Sequence, residues 1–329
     1  MKCPHCNGEH PDSYKFCPIT GKEIEPQLMA CANKDCPDFG KHILPAEAKF
    51  CPRCGKSIRT EKGTDRTKEA NPETSRIVVV CSEAGSYIQI GKCQNSHTGE
   101  REKRLKLKNG ENVISVKEHP ELKFGFSFTT DDKSKYVEKI ILDYFNTSNI
   151  TNMCSMFLGC ESLKSLDLNG FNTSNVTDMN FMFSGCSSLE SLDLSSFDTS
   201  NVTDMTFMFG SCNLLNSIDL SNFNTTNVTD MVGMFSNCCT LQELDLRNFN
   251  TTNVQLMTWM FENCSLLESL NLNGFNTISV RSMNKMFSGC NSLKSLDLSN
   301  FDTSSVIDME GMFDGCSKEI QEKYKYLTR

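Results

Sequence analysis

The sequence predicts a repeat solenoid in its C-terminal half, with short strands forming a parallel β-sheet and short helical turns between them. A small β unit and two cysteine-bearing modules are predicted to precede it. Three observations carry this reading. A phenylalanine recurs every 26 residues, at Phe145, Phe171, Phe197, Phe223, Phe249, Phe275 and Phe301. A cysteine follows each of them after fifteen positions, at Cys160, Cys186, Cys212, Cys238, Cys264, Cys290 and Cys316. The remaining cysteines of the first 58 residues obey a different, paired spacing.

Within one copy two periodicities alternate. Leu192-Asp193-Leu194 has the period of two that belongs to a strand, whereas Met205, Met208, Phe209 and Cys212 recur at the three- and four-residue steps of one helical face. Asp204, with Asp178, Asp230 and Asp308 in other copies, stands where it would cap the N-terminus of such a turn. One copy is too small to bury its own Leu, Met, Phe and Cys, so the copies are expected to stack. The polar positions recur as well: a threonine ladder from Thr147 to Thr303, and Asn149, Asn175, Asn201, Asn227 and Asn253 two residues after their threonines. Stacked side chains of these kinds satisfy backbone groups at turns. The same turns explain the many N-x-[ST] triplets without glycosylation.

The repeats are assigned to residues 136–318, and the tail 319–329 to a helix that closes the array. Residues 59–76, RTEKGTDRTKEANPETSR, are almost free of apolar side chains and read as a flexible linker. Residues 77–135 hold short β-type runs, RIVVV, SYIQI, NVISV and KFGFSF, and are assigned to the small β unit that caps the stack.

The N-terminal cysteines point to metal. Cys31, Cys36, Cys51 and Cys54 form two pairs across a loop, and four thiolates close a tetrahedral zinc shell. Cys3, Cys6 and Cys17 repeat this design, since YKFCPITGKEI matches AKFCPRCGKSI, but Thr20 replaces the fourth cysteine and His10 is the expected substitute donor. The expected cofactor is structural zinc, at one site and at a possible second. Together the two groups resemble a double zinc ribbon over residues 1–58. Cys81, Cys93 and His97 match no ligand spacing and are read as packing residues.

The repeat motif F-x-T-S-N-V-T-D-M-x-x-M-F-x-x-C-x-S-L-x-S-L-D-L is similar to that of the BspA-like leucine-rich repeat family. That resemblance implies a leucine-rich-repeat-like right-handed solenoid, in a family associated with surface proteins and adhesins that bind host or partner proteins.

The outward strand positions Asp167, Asp193, Asp219, Asp245, Asn271 and Asp297 are predicted to form one file on the sheet face, a candidate partner-binding surface for a basic or polar group. The net charge is −8, and residues 145–329 carry twenty Asp/Glu against nine Lys/Arg. Such a surface repels phosphate backbones, which excludes nucleic acid from the repeats and leaves it only to the ribbons. All five histidines precede the repeats, and no nucleophile motif or phosphate-cradling loop is present. The expected function is therefore a non-catalytic protein-interaction scaffold. The alternatives are a surface adhesin or a nucleic-acid-binding zinc ribbon with an interaction tail. No run is long and apolar enough to span a membrane, and MKCPHCNGEHPD lacks an apolar signal region, so the expected compartment is the cytoplasm.

Overall fold

The computed structural model describes Ala30–Cys31, Ile58–Arg59 and, apart from residues 85, 96–99, 129–135, 144 and 169, residues 76–327. The chain divides into two compact units, Met1–Lys68 and Glu69–Arg329. In the first, strands β1 (Ala30–Cys31) and β2 (Ile58–Arg59) pair antiparallel, with Cys31 opposite Ile58.

The second unit begins with two three-stranded antiparallel sheets. β3 (Arg76–Cys81) is central between β6 (Gly110–Ser115) and β8 (Val137–Asp143). β4 (Tyr87–Asn95) is central between β5 (Glu100–Lys106) and β7 (Phe126–Phe128). β3 reads RIVVVC and is buried along nearly its whole length, as a strand covered on both faces must be. β6 alternates buried and exposed positions, and the charged β5 keeps an exposed edge. β8 lies inside the residues assigned to the repeats, where Val137, Ile140 and Leu142 take the places of Leu189, Leu192 and Leu194 of a later copy. Its apolar run joins β3 instead of the repeats.

Beyond Phe145 the chain overturns the expected fold class. A leucine-rich-repeat-like right-handed solenoid with a parallel sheet and helical turns does not form. Regular sheet is concentrated in the two antiparallel sheets, and the repeats contribute one parallel pair of three-residue strands, β9 (Glu243–Asp245) with β10 (Ser269–Asn271). Among the described residues the only α-helix is α1 (Lys318–Lys323). The physical reason lies in two left-handed residues per copy. Ser155, Phe181, Phe207, Gly233, Trp259, Lys285 and Gly311 have positive φ, and so do Gly159, Gly185, Ser211, Asn237, Asn263, Gly289 and Gly315 four residues later. A helix cannot pass through such residues.

What forms instead is a layered set of turns, each 26 residues long, joined by backbone hydrogen bonds. Every second N–H in the methionine run points to the next copy: Met205 donates to Asp230 O at 3.0 Å, Phe207 to Val232 O at 2.7 Å, Phe209 to Met234 O at 3.0 Å and Ser211 to Ser236 O at 2.7 Å. The intervening N–H groups close local turns, Met208 on Met205 O, Gly210 on Phe207 O and Cys212 on Phe209 O. Isolated parallel bridges link Asn152, Asp178, Asp204, Asp230, Leu256, Ser282 and Asp308 in series. The Leu-Asp-Leu segment stays short because its Asp side chain folds back on the backbone two residues on, which ends the extended stretch.

The threonine ladder ties each copy to its successor twice. Thr225 Oγ1 donates to Asn250 O at 3.0 Å and accepts from Asn250 N–H at 2.9 Å, and Thr147, Thr173, Thr199, Thr251 and Thr277 repeat the arrangement. These hydroxyls are buried. The asparagines bond backward, Asn201 Nδ2 to Ser174 O and Asn227 Nδ2 to Ser200 O. Between the ladders run stacked aromatic columns, Phe157-Phe183-Phe209-Phe235-Phe261-Phe287-Phe313 at 5.5–5.8 Å between ring centroids.

The first turn needs a partner for the carbonyls that face away from the stack. Arg101, buried in β5, supplies it: Nη2 donates to Asn152 O and Cys154 O, both at 3.3 Å, while Nη1 holds Gly91 O in β4. Phe126 meets Phe157 edge-on beside it.

The double tie of the threonine ladder yields a stability prediction. Thr225→Val strands a buried carbonyl and a buried N–H, so it should cost about 2–4 kcal/mol in urea unfolding, whereas Thr226→Val at the exposed neighbour should leave the midpoint almost unchanged. Equal effects at both positions would contradict the role given to the ladder.

Candidate functional site

The aspartate file is positioned by the same local chemistry that ends each short strand. Oδ1 of Asp193, Asp219, Asp245, Asn271 and Asp297 accepts the N–H two residues on, from Ser195, Ser221, Arg247, Asn273 and Ser299, at 2.9–3.2 Å. Asp245 stands opposite Asn271 in the β9–β10 register. Asp167, Asp193, Asp219, Asp245 and Asp297 are exposed and Asn271 is half-buried. The structure therefore brings the predicted residues to one face, where Ser191, Leu192, Asp193, Ser217, Ile218 and Asp219 line a shallow depression.

Hydrogen bonds favour the ionised form of three of these carboxyls, Asp219, Asp245 and Asp297. The Ser221 backbone and hydroxyl keep Asp219 below the usual carboxylate range, and Ser299 does the same for Asp297. The Arg247 side chain lowers Asp245 and also forms an ion pair with it. Two neighbouring features modulate the charge: that pair, and the ion pair between Lys294 and Glu268 one strand position away.

The turn itself does not require a charge. At the comparable turns after Phe145, Phe171, Phe223, Phe249 and Phe275, the Oδ1 acceptor belongs to Asn146, Asn172, Asn224, Asn250 and Asn276. Asn271 shows that an amide serves in the file too. Aspartate at the other five file positions is thus a choice of charge, made where the geometry accepts either residue.

A second exposed feature was invisible in the repeat motif, because it occupies a variable position. Phe181 and Phe207 stack at 5.3 Å, and Phe207 reaches Trp259 at 6.3 Å across Gly233. A Cβ on Gly233 would enter the Phe207 ring, so glycine is what lets the two aromatics approach.

Residues 126–244 and 234–328 match the family described as Mycoplasma protein of unknown function, DUF285. The chain belongs to this family. Residues 3–55 match the family described as Double zinc ribbon. The BspA-like leucine-rich repeats that the motif resembles are not named in either description. No curated protein and no solved structure matches this DUF285 chain.

The double zinc ribbon match supports zinc binding at the N-terminus. Of the predicted ligands, Cys31 lies in β1, and its pairing with Ile58 sets it beside a strand that starts four residues after Cys54. Cys36, Cys51 and Cys54, and the second set Cys3, Cys6, Cys17 and His10, lie outside the described residues, as does His97. Four thiolates in two pairs are a donor set that fits zinc. Among the described residues no group of three or more His, Cys, Asp or Glu side chains could hold a metal ion, and no helix is long and apolar enough to cross a membrane.

The DUF285 region keeps its repeat cysteines as free, buried thiols. Six of them, from Cys186 to Cys316, act as donors between copies, for example Cys186 Sγ to Phe157 O, Cys212 Sγ to Phe183 O and Cys238 Sγ to Phe209 O, all at 3.2 Å. At the junction with the β unit, the free thiols of Cys154 and Cys93 share a hydrogen bond. Burial pushes Cys160, Cys186, Cys212, Cys238, Cys264 and Cys290 well above the ordinary thiol value of 9.0. The folded state therefore keeps protons that the unfolded chain releases. That contribution is complete below the unfolded pKa and is lost as pH rises above it. The urea midpoint should be flat from about pH 7 to 8 and fall steeply above about pH 9, because the six thiols act together. A midpoint unchanged to about pH 10.5 would show that the thiols are not held as described.

Proposed function

We propose that this chain is a non-catalytic scaffold for protein–protein interaction, whose repeat region presents Asp167, Asp193, Asp219, Asp245, Asn271 and Asp297 to a partner carrying basic or polar groups. The observation that carries this reading is the use of aspartate at turns that asparagine satisfies equally well. Like charges set about 5 Å apart cost stability unless a partner of opposite charge takes them up. The small serines beside them leave the face open to a flat ligand. The non-catalytic reading is supported by the state of the repeat thiols, which are hydrogen-bonded, buried and pushed toward the unreactive protonated form.

The N-terminal ribbons serve this scaffold as structural or accessory modules. Zinc bound by Cys31, Cys36, Cys51 and Cys54, and at a second site by Cys3, Cys6, Cys17 and His10, would cross-link segments too short to fold on their own core.

Two measurements test the two parts. Asp193→Asn, Asp219→Asn and Asp297→Asn combined should keep every turn and the melting temperature, yet lower the amount of partner captured from a cell lysate about tenfold. Undiminished capture would remove the acidic face from the proposal. Metal analysis of the purified full chain should find at least about one equivalent of zinc, which Cys51→Ser with Cys54→Ser lowers by about one. A chain purified without any zinc, and unable to take it up, would refute the metal assignment.

A further inference from the structure

The last turn of the stack is finished differently from the others. In the six turns before it, the N–H groups at the positions of Met309, Gly311, Phe313 and Gly315 donate to carbonyls of the next copy. Met283, Lys285, Phe287 and Gly289, for example, donate to Asp308, Glu310, Met312 and Asp314 at 2.6–2.9 Å. Among the described residues, Met309, Gly311, Phe313 and Gly315 find no such acceptor, and neither the Thr303 hydroxyl nor the Ile307 carbonyl has a partner. These groups occupy the places that join one turn to the next everywhere else.

The apolar side chains at this end tell the same story. Phe275, Val280, Met283 and Thr277 are at most 3% exposed, but Phe301, Val306, Met309 and Thr303 in the last turn are only half-buried, and Ile307 is 87% exposed. The tail covers one half of the end and leaves this half open. Tyr324 stacks on Phe313 at 5.5 Å, and its hydroxyl donates to Leu296 O at 2.6 Å and accepts from Leu298 N–H at 3.3 Å. Ile320 of α1 is buried beside it. Among the described residues of this unit, nothing equivalent lies over Phe301 to Met309.

The chemistry of the open edge specifies what fits it. Four backbone donors in steps of two residues call for a row of carbonyls at the same spacing, which a peptide segment following the turns of the methionine run offers. The turn also carries Asp302, Asp308, Glu310 and Asp314 and no Lys or Arg, so the segment should be basic. A second copy of this chain does not fit, because the matching carbonyls of its first turn, Asn152 and Cys154, are already taken by Arg101. Nucleic acid is repelled by the same carboxylates.

We propose that the C-terminal end of the stack, formed by Phe301 to Gly315, is a docking edge for a basic segment of a partner protein, which follows the same succession of turns and adds to it as a partial eighth turn. This surface is separate from the aspartate file, so the two readings stand or fall independently.

The probe is a synthetic peptide copying residues 280–290 of this chain, with serine in place of Cys290. In the stack this segment presents the carbonyls of Ser282, Asn284, Met286 and Ser288 to the copy before it, and it carries Arg281 and Lys285. With the full chain, the labelled peptide should bind saturably in fluorescence anisotropy. Hydrogen exchange at Met309, Gly311, Phe313 and Gly315 should slow about tenfold on binding. Glu310→Lys with Asp314→Lys, both exposed positions, should weaken the complex about tenfold, while Asp219→Asn should leave it unchanged. The proposal is overturned if the peptide gives no protection at these four amides. It is equally overturned if a peptide with Glu in place of Arg281 and Lys285 binds as well as the basic one.

Discussion

The fold rests on one constraint: in each turn, every second N–H of the methionine run must find its acceptor in the following copy. A helix would satisfy these groups internally, and a helix is what residues such as Phe207 and Ser211, held at positive φ, do not permit. Once half of the donors point along the stack, a copy is incomplete without its successor. The period of 26 is then enforced, since an inserted residue would misplace the donors, the threonine hydroxyl and the cysteine thiol together. Buried Phe, Met and Leu supply the bulk of the driving force, at about 1.5–3 kcal/mol per side chain, but they do not set the register. The hydrogen bonds do.

The same constraint makes the two ends of the stack chemically unlike. Within the methionine run the direction of donation is uniform, so there the first turn presents carbonyls and the last presents N–H groups. Arg101, a guanidinium with several donors and no acceptor, suits the first end, and its burial between the β unit and the opening turn follows from that complementarity. At the last end the tail covers the strand side through Tyr324 and Ile320 and leaves the methionine side bare. The sides of the stack, by contrast, present side chains that differ from copy to copy. There the exposed side chains are free to vary for recognition, as the aspartate file and the aromatic ridge of Phe181, Phe207 and Trp259 illustrate.

Much of this was legible in the repeat. The periodic Phe, Thr, Asn and Cys announced copies that must contact one another, and the hydroxyl and amide ladders were expected to satisfy turns. The secondary structure was misjudged because steps of three and four residues arise in two ways. Met205, Met208, Phe209 and Cys212 face the interior through alternating turns, in which Met208 and Cys212 close on residues three back while Met205 and Phe209 reach the next copy. Side-chain periodicity reports which residues face inward and is silent about where the backbone donors go. The Leu-Asp-Leu segment was read as a strand of a continuous sheet, whereas among the described residues only Glu243–Asp245 and Ser269–Asn271 form strands there, since the Asp that marks the segment also folds back to end it. Strand β8 was counted with the repeats because VEKIILD stands where the other copies carry their Leu-Asp-Leu segment, and its pairing with β3 is what joins it to the β unit.

What the sequence determined unaided is what a linear pattern encodes: the length of the repeating unit, the identity of its buried positions, the file of carboxylates, and the paired cysteines of a double zinc ribbon, which need only their spacing to hold a tetrahedral metal. What the tertiary structure decided is the direction of the hydrogen bonds. The left-handed residues are Ser, Phe, Trp, Lys, Asn or Gly in different copies, so no side-chain type marks them. Their conformation is fixed by the copies on either side, which take up half of the backbone donors that a helix would have kept for itself.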